Sequence, residues 1–241
     1  MNKNESIQAW IFVRGDSEGL PGKNTRMLCG KPLIAYTIEA AKKCRYIKDV
    51  FVSTDSPTIA AAAEQYGAVV PFLRPEALAS GELPVTAAWR HAIEWSRGQN
   101  DFPKVDVLVS LPITTPLKTA EDITAAIDLY LESGADTVLS ITPSRRHPAY
   151  DMVYRDDDAG ARLILSNNAP LARHRKNMTY DITHVVQVIN ADFALREDNY
   201  YLGRVKSIVV PGIHALDLCT QLDFRLAEIV LTENTEKECM K

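Results

Sequence analysis

The chain lacks the marks of several large classes of protein. Its 241 residues include only four cysteines, scattered without metal-ligand spacing, so neither a zinc module nor a disulfide framework is indicated. No apolar run approaches the roughly 18–20 residues that a membrane-spanning helix needs. The net charge of −4 gives no basic excess for binding nucleic acid. With its polar start, unlike a secretory leader, the sequence predicts a cytoplasmic protein that binds neither membrane nor nucleic acid.

Two standard phosphate-binding motifs are also missing, although one loop has the composition of an anion site. The stretch RGDSEGLPGKN, residues 14–24, carries three glycines between Arg14 and Lys23. Glycines allow backbone N–H groups to approach an anion, and arginine can bind phosphate through two bonds. The P-loop pattern fails at positions 17 and 24, and G-x-G-x-x-G is absent. From these residues alone, the segment is either an anion site or an ordinary glycine-containing loop.

What the sequence does contain is a regular alternation of short apolar runs with helical patterns. Strands are predicted over five apolar runs, at residues 7–13, 49–55, 68–73, 105–112 and 137–143. Helices are predicted between them, at residues 32–44, 56–67, 83–98 and 119–134. Such alternation is typical of βαβ units. We therefore expect an α/β fold with an open, mostly parallel, doubly wound, Rossmann-like sheet.

Helix boundary signals support this assignment. Ser56 is a suitable N-cap before Pro57 at the first helical position, and Gly67 stops the same helix. Thr119 is a suitable cap for the fourth helix, followed by acidic residues in its first turn.

The regular alternation of strand and helix patterns ends after residue 143. An antiparallel ribbon is predicted around DDDAG at 156–160, then strands at 180–195 and 205–212 and a helix at 220–233. We expect one domain, 1–241, with 144–190 as an inserted lobe. Ligands of open α/β sheets bind at the carboxyl ends of the strands. Chemistry is therefore expected in the loops that follow the strands, at 14–24, 53–56, 74–86, 110–118 and 143–148.

Several blocks of the sequence, in order, resemble those of one family. RGDSEGLPGKN resembles the signature R-x-x-S-K-G-x-P-x-K-N, and LPITTPLKTAEDI resembles L-Q-P-T-S-P-L-R-T. Further similar blocks are GKPLIAYTIEAAKK, VFVSTDSPTIAAAAEQYGA, FLRPEALAS, RRHP and LDLCTQLDFRLAE. The likeness covers nearly the whole chain. It is to the cytidylyltransferases that activate sialic and related nonulosonic acids to CMP-sugars.

The resemblance implies a sheet of the nucleotide-diphospho-sugar transferase type, a homodimer assembled through the 144–190 lobe, and a reaction of CTP with an acidic sugar in the presence of Mg²⁺. It assigns the triphosphate to Arg14 and Lys23, the ribose to Asn24 and the cytosine neighbourhood to Arg74. Asp217 falls on a metal-binding aspartate and forms the implied catalytic set with Arg14 and Lys23. The implied nucleotide contacts are Arg14, Gly15, Ser17, Gly19, Lys23, Asn24 and Arg74. The implied sugar contacts are Leu111, Thr114, Arg173 and Gln187.

Plainer interpretations stand beside three of these residues. Arg74, next to a proline, is equally typical of a surface loop. Arg173 lies in RHRK, a run that would otherwise be a solvated basic face. His147, in RRHP, is either a site residue or a packing residue of the lobe.

The sequence departs from the family pattern at several implied contacts. Glu18 replaces the signature lysine, which puts repulsion beside a triphosphate. Cys219 replaces the second aspartate of D-x-D, and a thiol is a poor ligand for Mg²⁺. The other replacements are Leu111 for glutamine, Asp181 for arginine, Gln187 for tyrosine and Val85 for serine. We expect a CMP-sugar synthetase; the departures keep open a catalytically weak paralogue and an enzyme for another nucleotide and sugar.

Overall fold

The computed structural model describes residues 5–16, 22–81, 83–165 and 179–239. The first half of the chain contains β1 (Ile7–Phe12), β2 (Met27–Leu28), β3 (Lys31–Pro32), α1 (Leu33–Lys42), β4 (Val50–Ser53), α2 (Pro57–Gln65), α3 (Val85–Gly98) and β5 (Val107–Ser110). The second half contains α4 (Ala120–Ser133), β6 (Thr137–Pro143), β7 (Val153–Arg155), β8 (Ala161–Leu163), β9 (Tyr180–Asn190), α5 (Ala191–Arg196), β10 (Val205–Val209) and α6 (Gln221–Cys239).

The central sheet confirms the predicted α/β class. In the described part of the chain its strand order is β10-β6-β9-β5-β1-β4. All neighbours pair in parallel except β9, which is antiparallel to both β5 and β6. Strand β9 lies inside the sheet, so the last eleven residues of the predicted 144–190 lobe belong to the central layer. The ribbon predicted around DDDAG is present as the antiparallel pair β7–β8.

Both faces of the sheet are covered, as a doubly wound fold requires. Along β1 the side chains alternate: Ala9 and Ile11 lie in one hydrophobic cluster and Trp10 in the other. The first cluster packs against α1, α4 and α6, and the second contains buried residues of α3 and α5. No helix of the described residues combines the length and apolar character needed to cross a membrane.

The helix boundary predictions are confirmed. The Ser56 hydroxyl accepts a hydrogen bond from the Ile59 N–H, with Pro57 at the start of α2. Thr119 and Asp122 form a reciprocal capping box on α4. Gly67 ends its helix with a φ of +77°, a left-handed conformation that a residue with a Cβ adopts only at a cost.

Two predicted strands are wrong in part. Residues 68–73 form two isolated bridges beside β4, Phe51 with Val69 and Thr54 with Leu73, rather than a strand. Pro71 lies between these bridges and has no N–H to donate to a ladder. The strand predicted at 180–195 ends at Asn190, whose side-chain oxygen accepts a hydrogen bond from the Phe193 N–H and caps α5.

Candidate functional site

One edge of the sheet collects most of the predicted site residues. The carboxyl ends of β1, β4, β5, β6 and β10 meet there because these strands run in one direction. The antiparallel β9 brings its amino-terminal end, residues 180–184, to the same edge. Loops from opposite ends of the chain are thereby brought together.

The loop after β1 is fixed at both of its described ends. The Asn24 side-chain amide donates to the Arg14 carbonyl at 2.7 Å. The Gly15 N–H donates to Asp55 Oδ1 at 3.0 Å, and a Cβ on Gly15 would lie 3.2 Å from that of Ser56. A larger residue at position 15 would therefore push the loop away from the start of α2. Ser17, Glu18 and Gly19 lie outside the described residues.

Arg74 is an interior residue, so its interpretation as a surface loop residue is wrong. The whole residue is 5% exposed, and its guanidinium donates to the Val13 carbonyl at 2.8 Å. Asp55 Oδ1 lies 3.7 Å from the same Nη2 atom. Burial lowers the pKa of the Arg74 guanidinium, and Asp55 partly offsets this effect. Its Nε is buried and makes no hydrogen bond to the described residues, so it remains available to a ligand.

Asp217 lies where three segments meet. Its Oδ2 is 2.8 Å from His184 Nδ1 on β9, and the Leu218 N–H donates to the Thr114 carbonyl at 2.8 Å. Burial acts to raise the pKa of the Asp217 carboxyl, but His184, the hydroxyl of Thr114 and the charge of Lys23 outweigh it. The pKa is therefore lower than usual, and the carboxylate is ionised at neutral pH.

The residues after Asp217 form the start of α6. Asp223 Oδ2 accepts hydrogen bonds from the N–H groups of Cys219 and Thr220, at 3.1 and 2.6 Å. Thr220 and Asp223 thus cap the start of α6 reciprocally. The Cys219 residue is exposed, and partial burial of its thiol together with the Asp217 carboxylate raises its pKa. A protonated thiol there is a weak ligand for a hard cation.

Lys118 is a site residue that the sequence reasoning missed. Its ammonium group is buried and donates to the carbonyls of Pro112 and Thr115 and to the Thr37 hydroxyl. Burial lowers its pKa to about 7, against the opposing influence of Asp217 and Asp122. Lys118 therefore organises the loop after β5 from within. The available signal was a basic residue in an otherwise uncharged block, LPITTPLK.

A pocket of about 540 Å³ opens beside Asp217. Arg145 and Arg146 line it from the loop after β6, and Asp181 lines it from β9. Both arginines are exposed, and neither guanidinium makes a hydrogen bond or ion pair with the described residues. The Ser144 hydroxyl bridges the backbone of this loop, donating to the Arg146 carbonyl at 2.8 Å and accepting from its N–H at 3.2 Å. The sequence located this loop but not these two side chains.

The predicted sugar contacts are dispersed. Thr114 lies next to Asp217, whereas Leu111 is 0% and Gln187 6% exposed. Contact of Leu111 or Gln187 with a sugar would require rearrangement, and both assignments stay predictions. Arg173 lies outside the described residues.

The structure allows one carboxylate to hold a cation. In the described ranges, no group of three or more His, Cys, Asp or Glu residues has metal-binding geometry. Asp217 Oδ1 is buried and lacks a hydrogen-bond partner among the described residues. Mg²⁺ usually takes one or two carboxylates and completes its shell with water and substrate phosphates. The orphaned oxygen fits that pattern.

Comparison with known proteins identifies the family of the chain. The family model described as cytidylyltransferase matches residues 9–228. The CMP-N,N'-diacetyllegionaminic acid synthase of Legionella pneumophila is 31% identical over 95% of this chain and 98% of its own. The post-translational flagellin modification protein B of Campylobacter coli is 28% identical, covering 94% of this chain and 95% of its own.

A solved structure supports the fold. It is a CMP:2-keto-3-deoxy-manno-octonic acid synthetase in complex with CTP, with a TM-score of 0.71. The superposition covers 95% of this chain and all of that chain at 14% sequence identity, so the likeness concerns the fold alone. The family match and the Legionella relative together confirm the resemblance drawn from the sequence blocks. The chain belongs to the cytidylyltransferase family.

Proposed function

We propose that this chain transfers CMP from CTP to the anomeric hydroxyl of an acidic sugar, either a nonulosonic acid of the sialic type or a related 2-keto-3-deoxy acid. One observation carries the proposal: the carboxyl ends of the parallel strands bring the glycine-rich loop with Lys23 to the same edge of the sheet as Asp217, nearly two hundred residues later, and the charge of Lys23 helps to lower the pKa of the Asp217 carboxyl. A cation for phosphates and a carboxylate for a metal thus belong to one site.

The reaction is an in-line displacement at the α-phosphorus of CTP. The sugar oxygen forms the new O–P bond, pyrophosphate leaves with the bridging oxygen, and the hydroxyl proton passes to solvent. No covalent intermediate is needed, because the site works by aligning two substrates and neutralising charge. Arg14 and Lys23 bind the triphosphate, and Gly15 and Asn24 fix the described ends of the loop around it. Ser17 and Gly19, which the family resemblance also assigns to the nucleotide, lie outside the described residues. The Nε of Arg74, which lacks a partner among the described residues, is the candidate donor to the base.

Asp217 would hold Mg²⁺ through Oδ1. When bound, the ion neutralises developing negative charge on the phosphates. The Legionella relative is named for legionaminic acid, and Arg145 and Arg146 favour the adjoining pocket as the acid-sugar site of this chain, whereas the Asp181 carboxylate in the same lining would repel an acid. Guanidinium groups suit a carboxylate because they can donate two parallel hydrogen bonds. Thr114, Leu111, Gln187 and Arg173 remain candidates for the same subsite.

The test is pyrophosphate release from CTP and Mg²⁺ with sialic, legionaminic, pseudaminic and octulosonic acids. We expect turnover with at least one of them and a CMP-sugar product by mass spectrometry. Folded protein that releases no pyrophosphate with any acid would overturn the proposal.

A catalytically weak paralogue is the second candidate, and Cys219 favours it. Its N–H is used in the α6 cap and its thiol is a poor Mg²⁺ ligand. Calorimetry that detects CTP binding independent of Mg²⁺, without turnover, would support this alternative. An enzyme that uses another nucleoside triphosphate would differ from both of these candidates in its nucleotide preference. Competition among the four nucleoside triphosphates in a thermal-shift assay measures that preference.

We also propose that the protein is a homodimer assembled through the segment after β6. Val153 and Tyr154 of the ribbon and Ile182 of β9 are more than half exposed, at 53%, 61% and 52%. Exposed apolar groups in this number favour an interface. Light scattering at micromolar concentration tests this, and a monomer would contradict it.

A further inference from the structure

We propose that His184 is a positioning residue for the cation carboxylate, holding Asp217 by one oxygen so that the other faces the metal. The inference rests on the proposed function for the identity of the cation site. It assigns a role to a residue of β9 that the sequence did not single out.

The pairing of atoms defines the direction of the hydrogen bond. His184 Nδ1 lies 2.8 Å from Asp217 Oδ2. An ionised carboxylate only accepts hydrogen bonds, so Nδ1 carries the proton and donates it. Oδ2 is therefore occupied, and the buried Oδ1, which lacks a partner among the described residues, is left for a cation.

His184 and Asp217 are held by the same short loop. The Thr115 hydroxyl donates to the His184 carbonyl at 2.7 Å, and the neighbouring Thr114 carbonyl accepts the Leu218 N–H at 2.8 Å. The loop itself is fixed from below by the Lys118 ammonium, which lies 3.0 Å from the Thr115 carbonyl. The separation between the imidazole and the carboxylate is thus set by backbone contacts on both sides, as expected of a preorganised ligand shell.

The orientation of Asp217 matters more in this chain because a second carboxylate is missing. Cys219 stands where the family pattern D-x-D has its second aspartate, and its N–H donates a hydrogen bond to Asp223 Oδ2. With one protein oxygen available, a rotation of the Asp217 side chain would remove the only carboxylate ligand supplied by this segment. The His184 donor on Oδ2 opposes that rotation, beside the Thr114 hydroxyl, which also interacts with this carboxyl. Partners of metal ligands act in this way, and their removal typically costs about 10–100-fold in metal affinity.

The experiment measures Mn²⁺ binding to the full chain by electron paramagnetic resonance, without nucleotide or turnover. We expect His184→Ala to weaken binding by about tenfold or more, and His184→Asn to retain part of the affinity because its amide can donate to Oδ2. Asp217→Asn should lose most binding. The matched control is His147→Ala, since the contacts of His147 are with Ala149 and Tyr150. Thermal unfolding of each variant checks the fold.

Two results would overturn the inference. One is Mn²⁺ affinity in both His184 variants equal to that of the wild type. The other is a loss in His184→Ala that is much larger for Co²⁺ than for Mn²⁺, which would make His184 a direct ligand, because imidazole favours the softer ion. Failure of the proposed function is separate: it would appear as absent pyrophosphate release, while the Mn²⁺ measurement would remain valid.

Discussion

Asn24 and Arg14 are joined across the glycine-rich loop by a 2.7 Å hydrogen bond from the Asn24 side-chain amide to the Arg14 carbonyl. This bond ties the residue that ends the loop to the residue that begins it. Because the Asn24 amide nitrogen donates to Arg14, we propose Oδ1 as the atom that accepts a hydrogen bond from a ribose hydroxyl. The tie also fixes the spacing of Arg14 and Lys23, the two cations proposed for the triphosphate.

Replacing Asn24 with alanine should weaken CTP binding by about fivefold, the worth of one hydrogen bond. Isothermal titration calorimetry measures the change. Thr25→Ala is the control. The Thr25 hydroxyl donates at 3.1 Å to the Gly22 carbonyl at the same end of the loop, so its loss removes a hydrogen bond that does not join the two ends. Equal CTP affinity in Asn24→Ala and Thr25→Ala would show that the tie does not matter.

Arg145 and Arg146 should act on the sugar and not on the nucleotide. The double change to glutamine removes two guanidinium groups from the pocket, so the KM for the acidic sugar should rise by about tenfold or more. The KM for CTP should change less than about twofold, since small effects are typical away from a contact. Steady-state kinetics test this, with Arg155→Gln on β7 as an exposed arginine outside the pocket. A parallel rise in the KM for CTP would contradict the assignment.

Sequence reasoning predicted those features of the fold that depend on neighbouring residues in the chain, such as the ends of helices. The capping residues Ser56 and Thr119 and the stop at Gly67 are where expected, because caps and left-handed glycines act within one turn. The mostly parallel sheet was predicted from the alternation of strand and helix patterns alone. Local pattern could not show that β9 inserts antiparallel between β5 and β6, because strand order depends on contacts between distant segments.

The site was predicted less completely than the fold. Arg14, Lys23, Asn24 and Asp217 converge at the expected edge of the sheet. His184 and Lys118 escaped notice because each contacts a partner distant in sequence: Asp217 for the first and Thr37 for the second. Burial of Leu111 and Gln187 was likewise invisible, since a strand that is covered on both faces hides polar and apolar residues alike.

Glu18→Lys should tighten CTP binding, because it replaces repulsion of the triphosphate with attraction. Glu18→Gln removes the charge alone and should fall between wild type and the lysine variant. Calorimetry at two salt concentrations measures both, with the differences shrinking as salt rises. Weaker binding in Glu18→Lys would mean that the carboxylate has a function of its own.

Cys219→Asp should lower the Mg²⁺ concentration needed for half-maximal activity. The new carboxylate would lie near Asp217 and supply a second hard ligand in place of a thiol. Without metal, the same variant should be less stable than wild type, because two like charges then repel each other. Cys219→Ser is the control for losing the thiol. An unchanged Mg²⁺ requirement in the aspartate variant would place the cation elsewhere.

Lys118 offers a test by pH. Its folded-state pKa of about 7 is far below the ordinary 10.5, so between these values the unfolded chain binds a proton that the folded chain does not. The stability contributed by this group therefore rises with pH across that window, by at most about 1.4 kcal/mol per pH unit, and is flat below it. In Lys118→Met the amine is gone, and two carbonyls lose their donor.

The difference in unfolding free energy between wild type and Lys118→Met should thus move in favour of wild type from pH 7 to pH 10. Urea denaturation at one-unit intervals measures it. Lys206→Met, which removes an exposed amine from β10, is the matched control. A flat difference for Lys118 would mean that its amine keeps its proton in the folded state, held by the Pro112 and Thr115 carbonyls, and that burial does not control its titration.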